Sequence, residues 1–240
     1  YNPQETVIKD ILGDLAPMPN ATLYYKNWDE WLEFFSKLGM LNSPKPQDIL
    51  DFVDTLIKKA QRSCGDTVAE SCIDILKYIN SHWEDLENAK VDDGKATLTD
   101  ALNKRAWLPV EISPRNLQQY PAALIPENRL YSSSEVALWK TGYVLASRYP
   151  LLHQAVELET EVQKALGLSF RLDKWKQVVA HLCQLIALWR KYKLEKLALP
   201  NNFDRSVKLV YEFLAIKSIV NEHSDWLRAH FTDIPCLWNG

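Results

Sequence analysis

Two stretches of this chain, ILDFVDTLI at Ile49–Ile57 and VVAHLCQLI at Val178–Ile186, carry the same apolar pattern at an offset of about 129 positions. The aligned aliphatic pairs are Ile49/Val178, Leu50/Val179, Val53/Leu182, Leu56/Leu185 and Ile57/Ile186. Their spacing matches one face of an α-helix. The stretches therefore predict two equivalent amphipathic helices, each with an apolar stripe facing a core.

Similar motifs flank both stretches, which indicates a loose internal repeat. A Leu-Gly pair precedes each stretch, and an aromatic–aliphatic helix and then a Trp/Pro cluster follow it. These motifs are Leu38-Gly39 and Leu166-Gly167, Ile75–Ile79 and Val210–Leu214, and Ala106–Pro109 and Ile234–Trp238. Polar identity is not kept, since Asp48 aligns with Gln177 and Asp54 with Cys183. A repeat that keeps only its apolar positions indicates a shared architecture rather than a shared catalytic site.

The remaining pattern predicts a mainly α fold with two helical halves. Apolar periodicity predicts helices over 5–15, 28–38, 47–62, 68–83, 98–105, 136–139, 151–166, 172–192, 206–220 and 224–231. Four prolines between Trp107 and Tyr131 forbid a long helix there, and short strands near 107–112 and 129–131 are expected to pair as a β-ribbon. We therefore predict a first half over 1–106, a Pro-rich connector over 107–135 and a second half over 136–240.

Composition narrows the classes of function. The 240 residues are 47% apolar, carry a formal net charge of −3 and include only seven glycines. The charge gives no overall attraction to nucleic acid or anionic lipid, and the low glycine content disfavours a phosphate-binding loop. The longest apolar stretch, Val178–Trp189, contains a histidine and a glutamine and is too short to cross a bilayer. Because the chain starts without Met, we expect a segment of a longer protein.

Residues with reactive side chains form no recognisable catalytic motif. The four cysteines, Cys64, Cys72, Cys183 and Cys236, include no CxxC pair, which favours a reduced, cytoplasmic setting. Neither a His-Glu-x-x-His zinc motif nor a Gly-x-Ser-x-Gly nucleophile motif is present. His181 and Cys183 point in different directions on a helix and are a poor pair of metal ligands. We therefore predict no enzyme activity, no catalytic or metal-binding residue and no cofactor.

Two groups of residues are candidates for an interaction surface. The first is aromatic: Trp28, Trp31, Phe34 and Phe35 lie within eight residues, and one helix face cannot bury all four. A partly exposed aromatic patch suits contact with a neighbouring repeat or a client protein. The alternative is that these rings pack under the loop 17–25.

The second group is basic: Arg190, Lys191 and Lys193 lie among Trp189 and Tyr192. Cations beside aromatic rings suit contact with phosphates and bases, or with phospholipid headgroups. The alternative is a solvated helix end, where basic side chains interact favourably with the helix dipole.

The order of the motifs resembles that of the giant repeats of the sacsin family of co-chaperone-like proteins. The resemblance rests on the Leu-Gly pairs with their helices, on Val207–Leu214, on Phe231–Gly240, and on the Pro-rich segment Trp107–Val136 followed by Tyr143–Ser147. It implies a regulatory role in protein quality control and in cytoskeletal and mitochondrial organisation. It also implies partners among neighbouring segments of the same chain, client proteins and heat-shock chaperones. The ATPase-like module and the J-domain tripeptide of that family are absent from this sequence.

We therefore predict a non-catalytic helical scaffold or interaction segment, with no nucleic-acid partner and no insertion into a membrane. Two alternatives stay open. One is a nucleic-acid or lipid-binding module that uses the basic group, and the other is a hydrolase whose residues converge only in space.

Overall fold

The computed structural model describes residue 12 and residues 28–38, 40–41, 43–62, 66–168 and 174–231. The chain forms two compact units: one comprises Tyr1–Pro109 and Ala155–Leu166, and the other Val110–Gln154 and Gly167–Gly240. One unit boundary lies within the Pro-rich segment 107–135. Each unit contains one of the two repeated apolar stretches. The fold is mainly α, as the sequence predicts.

The first unit is built mostly from helices. Its elements are α1 (Trp28–Lys37), α2 (Pro46–Arg62), α3 (Asp66–Ser81), α4 (Trp83–Leu86), β1 (Lys90–Val91), β2 (Ala96–Thr97), α5 (Leu98–Asn103), β3 (Leu108–Pro109) and α8 (Thr160–Ala165). Helix α2 packs against α3 and α5. Ile49, Val53 and Leu76 are almost fully buried there, so the predicted stripe forms part of the core of this unit.

A tight hairpin connects β1 and β2, which pair antiparallel. Asp92, Asp93 and Gly94 all have positive φ angles, of 52°, 54° and 85°. Gly94 adopts this conformation without steric cost, and Asp tolerates it better than most residues. The hydroxyl of Thr97 then accepts a hydrogen bond from the backbone N–H of Asp100 at 3.1 Å, which caps α5.

The second unit contains the remaining described elements. They are α6 (Pro114–Leu117), β4 (Leu130–Tyr131), 3-10 turns at Ser133–Glu135 and Trp139–Thr141, α7 (Gly142–Leu145), α9 (Trp175–Glu195), α10 (Phe203–Leu214) and α11 (Lys217–Phe231). Helix α9 packs against α7 and α10. Val178, Leu182 and Leu185 are at most 1% exposed, so the second stripe lies in the core of its own unit.

The repeated stripes have matching burial. The first four aligned pairs, from Ile49/Val178 to Leu56/Leu185, are buried in both helices. The fifth pair, Ile57/Ile186, is half-buried in both helices. An apolar pattern at helical spacing therefore predicted the buried face residue by residue.

Four of the predicted helices differ clearly from the structure. Residues 136–139 are largely extended, and Ser132 and Glu135 instead form a capping box around the 3-10 turn before them. The helix predicted over 151–166 is confined to Thr160–Ala165, because Leu151 and Leu152 form β-bridges with Ala137 and Val110. The helices predicted over 206–220 and 224–231 are Phe203–Leu214 and Lys217–Phe231, interrupted at Ala215–Ile216. Local periodicity does not report such long-range bridges.

Most of the predicted N-terminal helix over 5–15, the loop 17–25 and the Trp/Pro cluster at 234–238 lie outside the described residues. Leu12 is the exception and is helical and buried. Within the described ranges, no helix combines the length and the hydropathy that crossing a bilayer requires.

Candidate functional site

The predicted aromatic group lies on α1 in the first unit. The ring centroids of Trp31, Phe34 and Phe35 are 5.6–5.8 Å apart, so the three rings contact one another. Trp31 is 37% exposed and Phe34 48%, while Phe35 is half-buried. Leu38, one turn after Phe34, is 68% exposed. The side chain of Trp28 lies outside the described part of the chain.

Helical spacing in the sequence predicts α1, and the same spacing explains why Phe34 and Leu38 are exposed together. Phe34 and Leu38 are four residues apart, so they lie on the same side of the helix. We call Trp31, Phe34, Phe35 and Leu38 the aromatic patch. It is an apolar surface of the first unit, and Phe34 and Leu38 are its most exposed side chains.

The predicted basic group lies on the last turns of α9 in the second unit. Arg190, Lys191 and Lys193 are exposed there. Lys193 Nζ lies 4.8 Å from the centroid of the Trp189 ring, at a distance typical of a cation–π contact. Helix α9 therefore keeps this basic group together at one end.

The first unit also has a cleft that the sequence did not predict. It encloses about 530 Å³ and is lined by Asn80, Ser81, His82, Trp83, Glu84, Asp85, Glu159, Thr160 and Glu161. The Asn80 side-chain oxygen accepts a hydrogen bond from the backbone N–H of Glu159 at 2.6 Å, which joins the two walls. Glu159 and Glu161 alternate along the chain, a local pattern that does not indicate a cleft. Their proximity to Glu84 and Asp85 depends on a contact between residues about 75 positions apart.

Four carboxylates around this cleft make it electronegative. Carboxylates accept hydrogen bonds from lysine and arginine side chains, and Trp83 adds an aromatic surface for a cation. The cleft is therefore suited chemically to cationic groups rather than to phosphates.

A serine–histidine pair lies in the core of the second unit. The hydroxyl of Ser147 is 2.7 Å from Nδ1 of His181, and Nε2 of His181 is 3.2 Å from the carbonyl oxygen of Tyr143. A carbonyl only accepts, so Nε2 carries the proton and Nδ1 accepts from Ser147. The backbone N–H of Ser147 also donates to Nδ1, at 3.4 Å.

These contacts give His181 a structural role. In a continuous helix the N–H of Ser147 would bond directly to the carbonyl of Tyr143, four residues earlier. The imidazole instead lies between these two groups and satisfies both at the end of α7 (Gly142–Leu145). Burial lowers the pKa of His181 to about 4, and the hydrogen bond to Tyr143 opposes this shift. The ring is therefore neutral over the physiological pH range.

This arrangement is poorly suited to nucleophilic catalysis. A general base must accept the proton of the serine, but burial disfavours the charged imidazolium of His181. The partner of Nε2 is a neutral carbonyl rather than a carboxylate. The Ser147–His181 pair is thus best explained as a hydrogen bond that holds α7 against α9.

The other candidate reactive groups are dispersed. No group of three or more metal-ligating side chains occurs among the described residues. His223 stacks on Trp175 at 4.3 Å, and His230 stacks on Trp226 at 4.5 Å. Burial raises the pKa of the Cys72 thiol to about 12, so this cysteine is a weak nucleophile. Cys64 lies outside the described ranges.

Comparison with family models, curated proteins and solved structures finds no significant match to this chain. The resemblance to the sacsin family therefore stays a prediction from the order of its motifs.

Proposed function

We propose that this chain is a non-catalytic helical interaction segment that binds other polypeptides through the aromatic patch. The observation that carries this proposal is the exposure of Phe34 and Leu38, at 48% and 68%, on one side of α1. Large apolar side chains grouped on a surface are typical of protein-binding sites. Aromatic residues are enriched at the centres of such sites.

The partners of the patch are apolar segments of neighbouring repeats or of client polypeptides. A sacsin-like role in cytoplasmic protein quality control would supply such partners. This role depends on the motif order that the sequence shares with the family, and the polypeptide-binding proposal does not require it.

A binding experiment with a permanently unfolded polypeptide tests the proposal. Reduced, carboxymethylated lactalbumin is labelled with a fluorophore, and its anisotropy is measured as the chain is added. We expect the parent chain to bind. Phe34→Ser and Leu38→Ser should each lower the affinity about tenfold, because each removes apolar area whose burial on binding is worth about 1.4 kcal/mol.

A matched control lies in the second unit. Leu124 and Ile125 are also exposed, at 40% and 67%, but they lie in an irregular segment rather than on a helix. The double substitution Leu124→Ser with Ile125→Ser is expected to leave the anisotropy titration unchanged. Equal losses in the two pairs, or no binding by the parent chain, would contradict the proposal.

A separate measurement tests the hydrolase alternative at Ser147. A fluorophosphonate reagent labels serines that a neighbouring base activates. We expect no labelling that depends on Ser147, because His181 is buried and neutral. Labelling that Ser147→Ala abolishes would favour the hydrolase.

A further inference from the structure

Helix α9 extends beyond the core of its unit. Its buried residues are Trp175, Val178, Val179, His181, Leu182 and Leu185. The ten residues from Ile186 to Glu195 include no fully buried side chain, and they correspond to about 15 Å of helix. Ile186, Leu188 and Trp189 still pack partly against the core. Of the six residues that follow, all but Tyr192 are exposed. The end of the helix is therefore a surface in its own right.

A defined stop fixes the geometry of this helix end. Lys196 has a left-handed backbone with φ of 55°. Its backbone N–H donates a hydrogen bond to the carbonyl oxygen of Lys193 at 3.3 Å. The N–H of Leu197 donates to the carbonyl oxygen of Tyr192 at 2.9 Å. This is a Schellman motif, in which the residue at the position of Leu197 usually packs against the last turn. Here Leu197 is instead 54% exposed, and Leu194 is 84% exposed.

Cations surround the two leucines. Arg190, Lys191, Lys193 and Lys196 lie between positions 190 and 197, and Glu195 is the only acid among them, which gives a net charge of +3. Within the described ranges, Arg190, Lys191 and Lys196 form no ion pair with a carboxylate. We call Arg190–Leu197 the basic–leucine end.

The types of exposed residue distinguish a lipid surface from a nucleic acid. Binding to single-stranded nucleic acid depends on aromatic rings that are open to stacking bases. Trp189 and Tyr192 are half-buried, and Lys193 lies over the Trp189 ring. The most exposed apolar side chains of the basic–leucine end are Leu194 and Leu197. Leucines within a cluster of lysine and arginine are typical of peripheral contact with anionic membranes.

We propose that the basic–leucine end binds peripherally to anionic phospholipid bilayers. The leucines enter the boundary between headgroups and acyl chains, and the four cations contact the lipid phosphates and carboxylates. The contact does not require a membrane-spanning helix. It is independent of the polypeptide-binding role of the aromatic patch.

Vesicle co-sedimentation tests this proposal with the full chain. The probes are phosphatidylcholine vesicles with and without 30 mol% phosphatidylserine, in 0.1 M NaCl. We expect binding to the anionic vesicles only. The triple variant Arg190→Gln, Lys191→Gln and Lys196→Gln is expected to lower the partition coefficient on the order of 100-fold, at roughly fivefold for each charge. The double variant Leu194→Ser and Leu197→Ser is expected to lower it about tenfold.

A charge-matched control separates this surface from general electrostatics. Lys59, Lys95 and Lys164 are exposed in the first unit. Their triple substitution by glutamine removes the same charge and is expected to change the partition coefficient less than twofold. Equal losses in the two triple variants would overturn the proposal. So would an absence of binding to anionic vesicles, or a basic–leucine end that binds a single-stranded RNA oligonucleotide but not the vesicles.

Discussion

Helices α2 and α9 bury the same apolar stripe in two different units, yet they differ at the positions around it. Phe52 of α2 aligns with His181 of α9, and both are buried. Phe52 contributes apolar contacts alone, whereas His181 also bonds to Ser147 and Tyr143. A shared stripe therefore sets where a helix is buried, and the positions beside it determine which elements the helix contacts.

A second difference concerns the aligned pair Asp54 and Cys183. The two carboxylate oxygens of Asp54 accept hydrogen bonds from Nε and Nη2 of Arg105, at 2.6 and 2.9 Å. Cys183 is half-buried and packs against the core of the second unit. The first unit thus connects α2 to the end of α5 by an ion pair, while the second unit uses apolar packing at the same position.

The largest expected effect tests the equivalence of the two stripes. Leu56 and Leu185 are aligned and are 2% and 0% exposed. We expect Leu56→Ala and Leu185→Ala each to lower the free energy of unfolding by about 2–5 kcal/mol, because each leaves a cavity in a packed core. Urea unfolding, with hydrogen exchange to identify the unit that opens, measures both effects. Leu194→Ala, at an 84% exposed position, is the control and should change stability by less than about 0.5 kcal/mol. A cost below about 1 kcal/mol at either buried leucine would break the equivalence.

The next effect is the pH dependence that His181 introduces and Phe52 lacks. The folded pKa of His181 is about 4, below its ordinary value of 6.5. Between these pH values the unfolded chain binds a proton at His181 that the folded chain does not. The contribution of neutral His181 to the free energy of unfolding is therefore complete above about pH 6.5 and is lost as the pH falls towards 4. The loss amounts to about 3 kcal/mol. His181→Phe should make the pH dependence of unfolding shallower in this window and should lower stability at pH 7. An NMR titration that places the His181 midpoint near 6.5 would refute this prediction.

A smaller effect is expected at the ion pair of the first unit. Hydrogen bonding to Arg105 is the main reason that the pKa of Asp54 lies below its ordinary value, and burial partly opposes this shift. The Asp54 side chain is 38% exposed, so solvent screens the pair. Asp54→Asn should therefore cost about 1 kcal/mol at pH 7. The difference between parent and variant should persist above about pH 3.9 and shrink as the pH falls further.

Asp74→Asn is the control for this ion pair. Asp74 lies 3.8 Å from Lys77 on an exposed helix face, and its substitution should change stability by less than about 0.5 kcal/mol. Thermal unfolding of both variants at pH 7 and pH 3 compares the two sites. If Asp74→Asn costs as much as Asp54→Asn, the bidentate geometry has no special role.

The smallest effect concerns two serines, each of which lies four residues before the aromatic–aliphatic stretch of the helix that follows a stripe. Ser71 of α3 donates to the carbonyl of Thr67 at 3.0 Å, whereas the hydroxyl of Ser206 of α10 is buried and has no hydrogen-bond partner among the described residues. Ser206→Ala should raise the free energy of unfolding by about 0.5–1 kcal/mol, because it removes an unsatisfied polar group. Ser71→Ala should be close to neutral. Urea unfolding of the two variants gives the comparison, and a loss of stability at Ser206→Ala would show that its hydroxyl has a partner, such as a buried water.

The helical class, the two apolar stripes and the basic group on α9 follow from the amino-acid sequence alone. These features follow from periodicity and from local composition, which are properties of neighbouring residues. The capping box at Ser132 and Glu135 was also predictable. The helix expected after it does not form, because Ala137 pairs with Leu151 across 14 positions.

The environment of each polar side chain, by contrast, depends on the tertiary structure. The imidazole of His181 bridges Tyr143 and Ser147, and the carboxylates at 84–85 and 159–161 line one cleft, because chain folding brings distant segments together. The tertiary structure also determines that the last turns of α9 extend beyond the core, with Leu194 exposed. Apolar spacing specifies which face of a helix is buried, but contacts between distant residues determine how far that burial extends and which polar groups it satisfies.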